Sequence, residues 1–66
     1  MNRLSFLTKL QREYCVFTDS PGVFRLVIKA VDYILSLEKA ERPAVANALL
    51  SGVLTDGDIK LLLEVE

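Results

Sequence analysis

The chain has 66 residues, 52% apolar and 26% charged, with eight Lys+Arg against nine Asp+Glu and a net charge of −1. That is length for one domain, too apolar for a disordered tail, and far less basic than a chain that binds nucleic acid mainly through phosphates. With no histidine and one cysteine, the usual zinc ligand sets, Ser/His/Asp and Cys/His catalysis and any internal disulfide are excluded.

Three stretches of turn-forming residues divide the chain: Thr18 to Gly22, Glu41 to Pro43, and Thr55 to Asp58. In the first segment, Asn2 to about Phe17, the residues Leu4, Leu7, Leu10, Tyr14 and Phe17 step by three or four. This spacing predicts one apolar face of an amphipathic helix. Phe6 falls off that stripe and is expected to be exposed or intermolecular. The end, Tyr14 to Phe17, is aromatic and β-branched, which favours an early exit from the helix.

The second segment opens with Ser20 at an N-cap position and Pro21 at the first helical position. It is expected to run to about Lys39. Its polar residues Arg25, Lys29, Asp32, Ser36 and Lys39 step by 4, 3, 4 and 3 and form one narrow stripe. Nearly everything else in it is apolar. A strand from Val23 to Ile28 is the rival reading, but the period and length favour a helix, one that needs burial on most sides.

The third segment starts at Pro43 and is rich in small residues (Ala44, Ala46, Ala48), which allow close helix packing; Gly52 suits its stop. The fourth opens with Thr55 as N-cap and Asp58 three residues on. This resembles a capping box with Asp where Glu or Gln is usual, and Leu54 and Ile59 hold the hydrophobic-staple positions. Ile59, Leu62 and Leu63 are its apolar face. Glu64 and Glu66 oppose the helix dipole, so the tail is expected to fray. The sum is an all-α bundle of about four helices in a single domain, residues 1–66, with a long central second helix and antiparallel neighbours.

No segment reads as a signal peptide or a membrane span. A lone thiol suits a reducing interior, so the expected compartment is cytoplasmic.

Few residues suggest chemistry. Asp56-Gly57-Asp58 resembles the start of a calcium loop, but Lys60 stands where an oxygen ligand is needed and the twelfth position is missing. The helix-cap reading accounts for both aspartates. Cys15 has only Arg12 nearby to lower its pKa and reads as a small buried hydrophobe. Ser20-Pro21 could be a phosphorylation site, but capping explains it. Ala48-x-x-x-Gly52-Val53 matches a helix-turn-helix pattern. Against that stand Asp58 at an inward position and an acidic would-be recognition helix. No catalytic residue, metal ligand or cofactor is assigned.

The apolar excess is the main functional clue. Packing geometry lets three short helices cover about two-thirds of a central helix, which would leave some of Phe17, Phe24, Ile28, Leu35 and Leu63 wet. A small monomer seldom exposes a large apolar patch. These five residues are therefore the expected interface of a homodimer. The expected function is a non-enzymatic protein–protein interaction module: a dimeric regulator, adaptor or inhibitor. The alternative is a small helix-turn-helix-like DNA-binding regulator using the third and fourth segments.

Overall fold

The computed structural model describes residues 1–65. Five helices follow one another: α1 (Arg3–Glu13), α2 (Val16–Asp19), α3 (Pro21–Ser36), α4 (Arg42–Leu50) and α5 (Asp56–Leu63). No strand is found among the described residues. The all-α class holds, with one more helix than expected because the first segment divides at Tyr14 and Cys15.

Helix α1 begins at a side-chain cap: Asn2 Oδ1 accepts from the Ser5 backbone N–H at 2.8 Å. The face that α1 buries is rotated from the expected stripe. Phe6, Leu7 and Leu10 are buried, whereas Leu4 is 70% exposed. Phe6 is fully buried and neither exposed nor intermolecular. The core lies where i to i+4 spacing joins Phe6 to Leu10, and a phenyl ring removes more apolar surface from water than Leu4 at the helix edge would.

At Tyr14 the backbone leaves helical geometry (φ −110°, ψ 73°). The short α2 then turns Phe17 into the core. Its ring stacks between Tyr14, at 5.5 Å and 24°, and Phe24 of α3, at 5.2 Å and 30°. Phe17 takes the inward position of this turn, so Cys15 and Val16 point outward. Cys15 is exposed, not a buried hydrophobe.

Pro21 starts α3 as expected, but the Ser20 side chain makes no capping bond. The Ser20 carbonyl instead accepts from the N–H groups of Val23 and Phe24. The helix stops at Ser36, three residues short of Lys39. Leu37 is extended (ψ 163°), and the Arg42 guanidinium donates to the carbonyls of Leu35 at 2.9 Å and Leu37 at 3.1 Å. One side chain from the next helix thus satisfies carbonyls that the helix end leaves open. The whole expected polar stripe, Arg25, Lys29, Asp32, Ser36 and Lys39, is exposed. Val27, Val31 and Ile34 form the buried face of α3.

Helix α4 packs against α3 and then α5. Of its three alanines only Ala46 is buried. Gly52 does not act as a left-handed stop, since no glycine has a positive φ. The chain instead turns on N–H bonds from Val53 and Leu54 to the Leu50 carbonyl. Leu54 and Ile59, the staple pair, both lie in the core. The tail does not fray at Val65, which is buried and donates its N–H to the Leu62 carbonyl. Glu66 lies outside the described residues.

By the usual scaling a folded monomer of 7.4 kDa exposes about 4,200 Å². This chain exposes 4370 Å². The total is close to that of an ordinary monomer of this mass, while α3 buries only Val27, Val31 and Ile34 and leaves Val23, Leu26 and Tyr33 exposed.

Candidate functional site

Two places concentrate chemistry: a polar cluster at the start of α5 and an apolar groove between α3 and α4.

The polar cluster grows from the Thr55 cap. Thr55 Oγ1 accepts from the Asp58 N–H at 3.3 Å, and its hydroxyl donates to Asp58 Oδ2 at 3.1 Å. In a full capping box the third helical residue reaches back to the cap's own N–H. Aspartate is one methylene shorter than glutamate, and here that bond is relayed. The Thr55 N–H donates to the Tyr14 hydroxyl at 2.8 Å, and this hydroxyl donates to Asp58 Oδ2 at 2.6 Å. The other Asp58 oxygen accepts from Lys9 Nζ at 2.8 Å, and Lys9 also donates to Glu13 at 2.8 Å. Two residues of the first segment therefore complete a cap on the last helix.

Asp58 is the one buried charged residue among those described. Burial pushes its pKa up, but hydrogen bonds from Lys9, Tyr14 and Thr55 outweigh it and hold the carboxyl at about 2. Lys9 is raised above the ordinary lysine value, by its hydrogen bond to Asp58 first and to Glu13 second. No buried polar side-chain atom among the described residues lacks a partner. Both oxygens of Asp58 are committed, while Asp56 is exposed. The two aspartates do not converge, and among the described residues no cluster of His, Cys, Asp and Glu could hold a metal ion. This arrangement fastens α1 to α5.

The groove is of another kind. Val23, Leu26 and Val27 of α3, with Leu49, Leu50 and Val53 from α4 and its turn, line a cleft of about 210 Å³. No charged residue lines it. Leu26 is 66% exposed, Leu49 49%, Val23 41% and Val53 40%. Further along α3, Tyr33 is 54% exposed. Val23, Leu26, Ala30, Tyr33 and Leu37 step by 3, 4, 3 and 4, the spacing of a helix-packing seam.

Of the five expected interface residues, Phe17 is buried in the chain's own core, with 4% of its surface exposed. Phe24, Ile28, Leu35 and Leu63 are half-buried and pack against that core. Of the large apolar residues that are exposed, Val23, Leu26, Tyr33, Leu49 and Val53 lie on α3, α4 and its turn, and Met1, Leu4 and Val16 lie elsewhere. On α3, the expected and the exposed residues share helical spacing on a helix with one polar stripe. The signal that separates them is the position of α4, which the apolar pattern alone does not encode.

The helix-turn-helix geometry can also be placed. Asp58 does occupy an inward position, and Lys9, Tyr14 and Thr55 supply its partners. Outward, α5 presents Asp56, Gly57 and Lys60, with Glu64 at its end. No helix among the described residues is long and apolar enough to cross a membrane. Compared with protein-family models, curated proteins and solved structures, the chain matches none.

Proposed function

We propose that the protein is a small helical interaction module that acts by protein contact and without catalysis, as a dimeric regulator, adaptor or inhibitor. The observation that carries this reading is the α3/α4 groove, where Val23, Leu26, Leu49 and Val53 are exposed together with no charge among the lining residues. Apolar side chains scattered singly over a surface need no explanation, but a contiguous set does. A two-fold homodimer is the commonest way to cover one. Helix α3 is about 24 Å long at 1.5 Å per residue, so a face two helices wide is at the small end of specific interfaces and suits reversible contact. An exposed lone thiol such as Cys15 fits a reducing, cytoplasmic setting.

Sedimentation equilibrium tests the reading. The expected result is a monomer–dimer equilibrium that shifts toward dimer through the micromolar range. A monomer that persists at high micromolar concentration, with no protein retained from the native host, overturns it.

The DNA-binding alternative gains one observation: Asp58, the main sequence objection to α4–α5 as a helix-turn-helix, is inward and fully partnered. The acidic outer side of α5 still opposes approach to phosphates. A retarded band on a nonspecific duplex at low salt would support this second reading over the first.

A further inference from the structure

We infer that the α3/α4 groove receives an amphipathic helix from another protein, one that sets a large apolar side chain into the cleft and carries carboxylates along the edge facing Arg25 and Lys29. This rests on the reading of the groove as a contact surface and names the partner to which the reversible dimer gives way. Shape and charge lead to it.

The cleft holds about 210 Å³, below the roughly 300–1,000 Å³ of small-molecule sites. It has room for an anchoring side chain or two, and its lining of Val23, Leu26, Val27, Leu49, Leu50 and Val53 asks that they be apolar. The described residues contain no strand whose edge an extended peptide could join. Two helices side by side instead offer the groove that an apolar helix face fills, with anchors one turn apart.

The two rims differ in charge. From Pro43 to Thr55, along α4 and its turn, there is no charged residue. On α3, Lys29 stands three positions after Leu26 and four before Tyr33, beside both exposed side chains, and Arg25 precedes it by one turn. Both cations are exposed, and neither makes an ion pair among the described residues, where the pairs are Arg3–Asp32, Lys9–Glu13 and Lys9–Asp58. Asp32, the one acid within α3, is thus taken by Arg3, and Asp19 lies before the helix in α2. Past the helix end Glu38 is followed by Lys39 and Glu41 by Arg42, so the charge there cancels. The rim that is left is cationic.

A second copy meets that rim badly. With the two α3 helices parallel, or antiparallel with Leu26 level with Tyr33, Lys29 comes within a turn of its own counterpart. Like charges face each other in both cases, which keeps self-contact weak and the face open to exchange. A helix with carboxylates on one flank removes that repulsion and fixes which way round it lies.

The probe is a displayed library of 16-residue peptides, the length of α3, with one face apolar at helical spacing and the flanking positions drawn from Glu, Lys, Gln and Ser. Selection on the unaltered chain should enrich Glu along one flank, and selection on R25E/K29E should enrich Lys there instead. Synthetic copies of the Glu-rich peptides, read by fluorescence anisotropy, should lose about tenfold or more in affinity on R25E/K29E and should not bind Leu26→Asp. The variant R12E/K60E makes the same change of net charge at other exposed positions and should bind them like the unaltered chain; circular dichroism establishes that each variant is folded. If Glu is not enriched, or R12E/K60E loses as much affinity as R25E/K29E, the acidic partner is overturned. The groove remains a contact surface in that case as long as the selected peptides still fail on Leu26→Asp. If no selected peptide depends on Leu26, the partner is overturned as well, and sedimentation of the unaltered chain decides the dimer reading separately.

Discussion

Tyr14 owes its place to one oxygen atom. Its hydroxyl accepts the Thr55 N–H and donates to Asp58, closing a cap that Asp58 alone does not complete. Tyr14→Phe keeps the ring against Phe17 and removes only that relay. It should cost about 1–3 kcal/mol, the range for leaving a hydrogen-bonding group without its partner. Thr55→Ala should cost about 0.5–2 kcal/mol as a lost cap. The two act on one network, so their effects should fall short of additive in a double-mutant cycle read by urea unfolding. Strict additivity would mean that the relay and the cap are independent. The cap was legible in Thr55-x-x-Asp58, but Tyr14 was not. A partner 41 positions away leaves no local pattern, and a tyrosine at helical spacing reads as core.

Asp58 also sets an acid limit. Its carboxyl is held at about 2, below the value near 3.9 of an unfolded aspartate. A depressed folded-state pKa gives stability that is fully present above the unfolded value and lost as pH falls through the folded one. Stability should therefore decline between about pH 4 and pH 2, by about 2 kcal/mol from this group. Asp58→Asn should be less stable at neutral pH and should flatten that decline. An unaltered slope in the urea midpoint over this window would show that other carboxylates govern it.

Among the elements, α1 departs furthest from its pattern. The sequence spacing ranks Leu4 with Leu7 and Leu10 and leaves Phe6 aside; the fold buries Phe6 and exposes Leu4. Phe6→Ala should cost about 3–5 kcal/mol, whereas Leu4→Ala should change stability by no more than about 0.5 kcal/mol. Thermal melts of the two variants decide between the faces, and equal effects would return the helix to its original stripe. The ambiguity is intrinsic: 4-7-10 and 6-7-10 both fit a helical period, and only the position of α5 selects one. The same reasoning explains why α3 was legible in type and start but not in length. Pro21 is a local signal, whereas the stop depends on Arg42, which reaches back to Leu35 and Leu37. Likewise Val65 joins the core although two glutamates flank it in sequence.

For the whole molecule, the exposed area decides what a dimer can be. The chain exposes 4370 Å², close to the value of about 4,200 Å² for a monomer of its mass, and its buried apolar side chains form one cluster, so dissociation should leave folded monomers rather than unfolded chains. Phe24 and Leu26 separate the two functions of α3. Phe24 stacks on Phe17 at 5.2 Å within the fold, whereas Leu26 protrudes into solvent. Phe24→Asp should unfold the chain, since it drives a charge against the core. Leu26→Asp should leave the helical circular dichroism and melting temperature of the dilute protein unchanged and abolish association in the ultracentrifuge. Concentration-dependent melting should be present in the unaltered chain and absent in Leu26→Asp, because only a folded state stabilised by a partner gains from mass action. If Leu26→Asp instead unfolds together with Phe24→Asp, the seam belongs to the fold and the monomer is not self-sufficient. The apolar excess would then serve an obligate dimer rather than a reversible one.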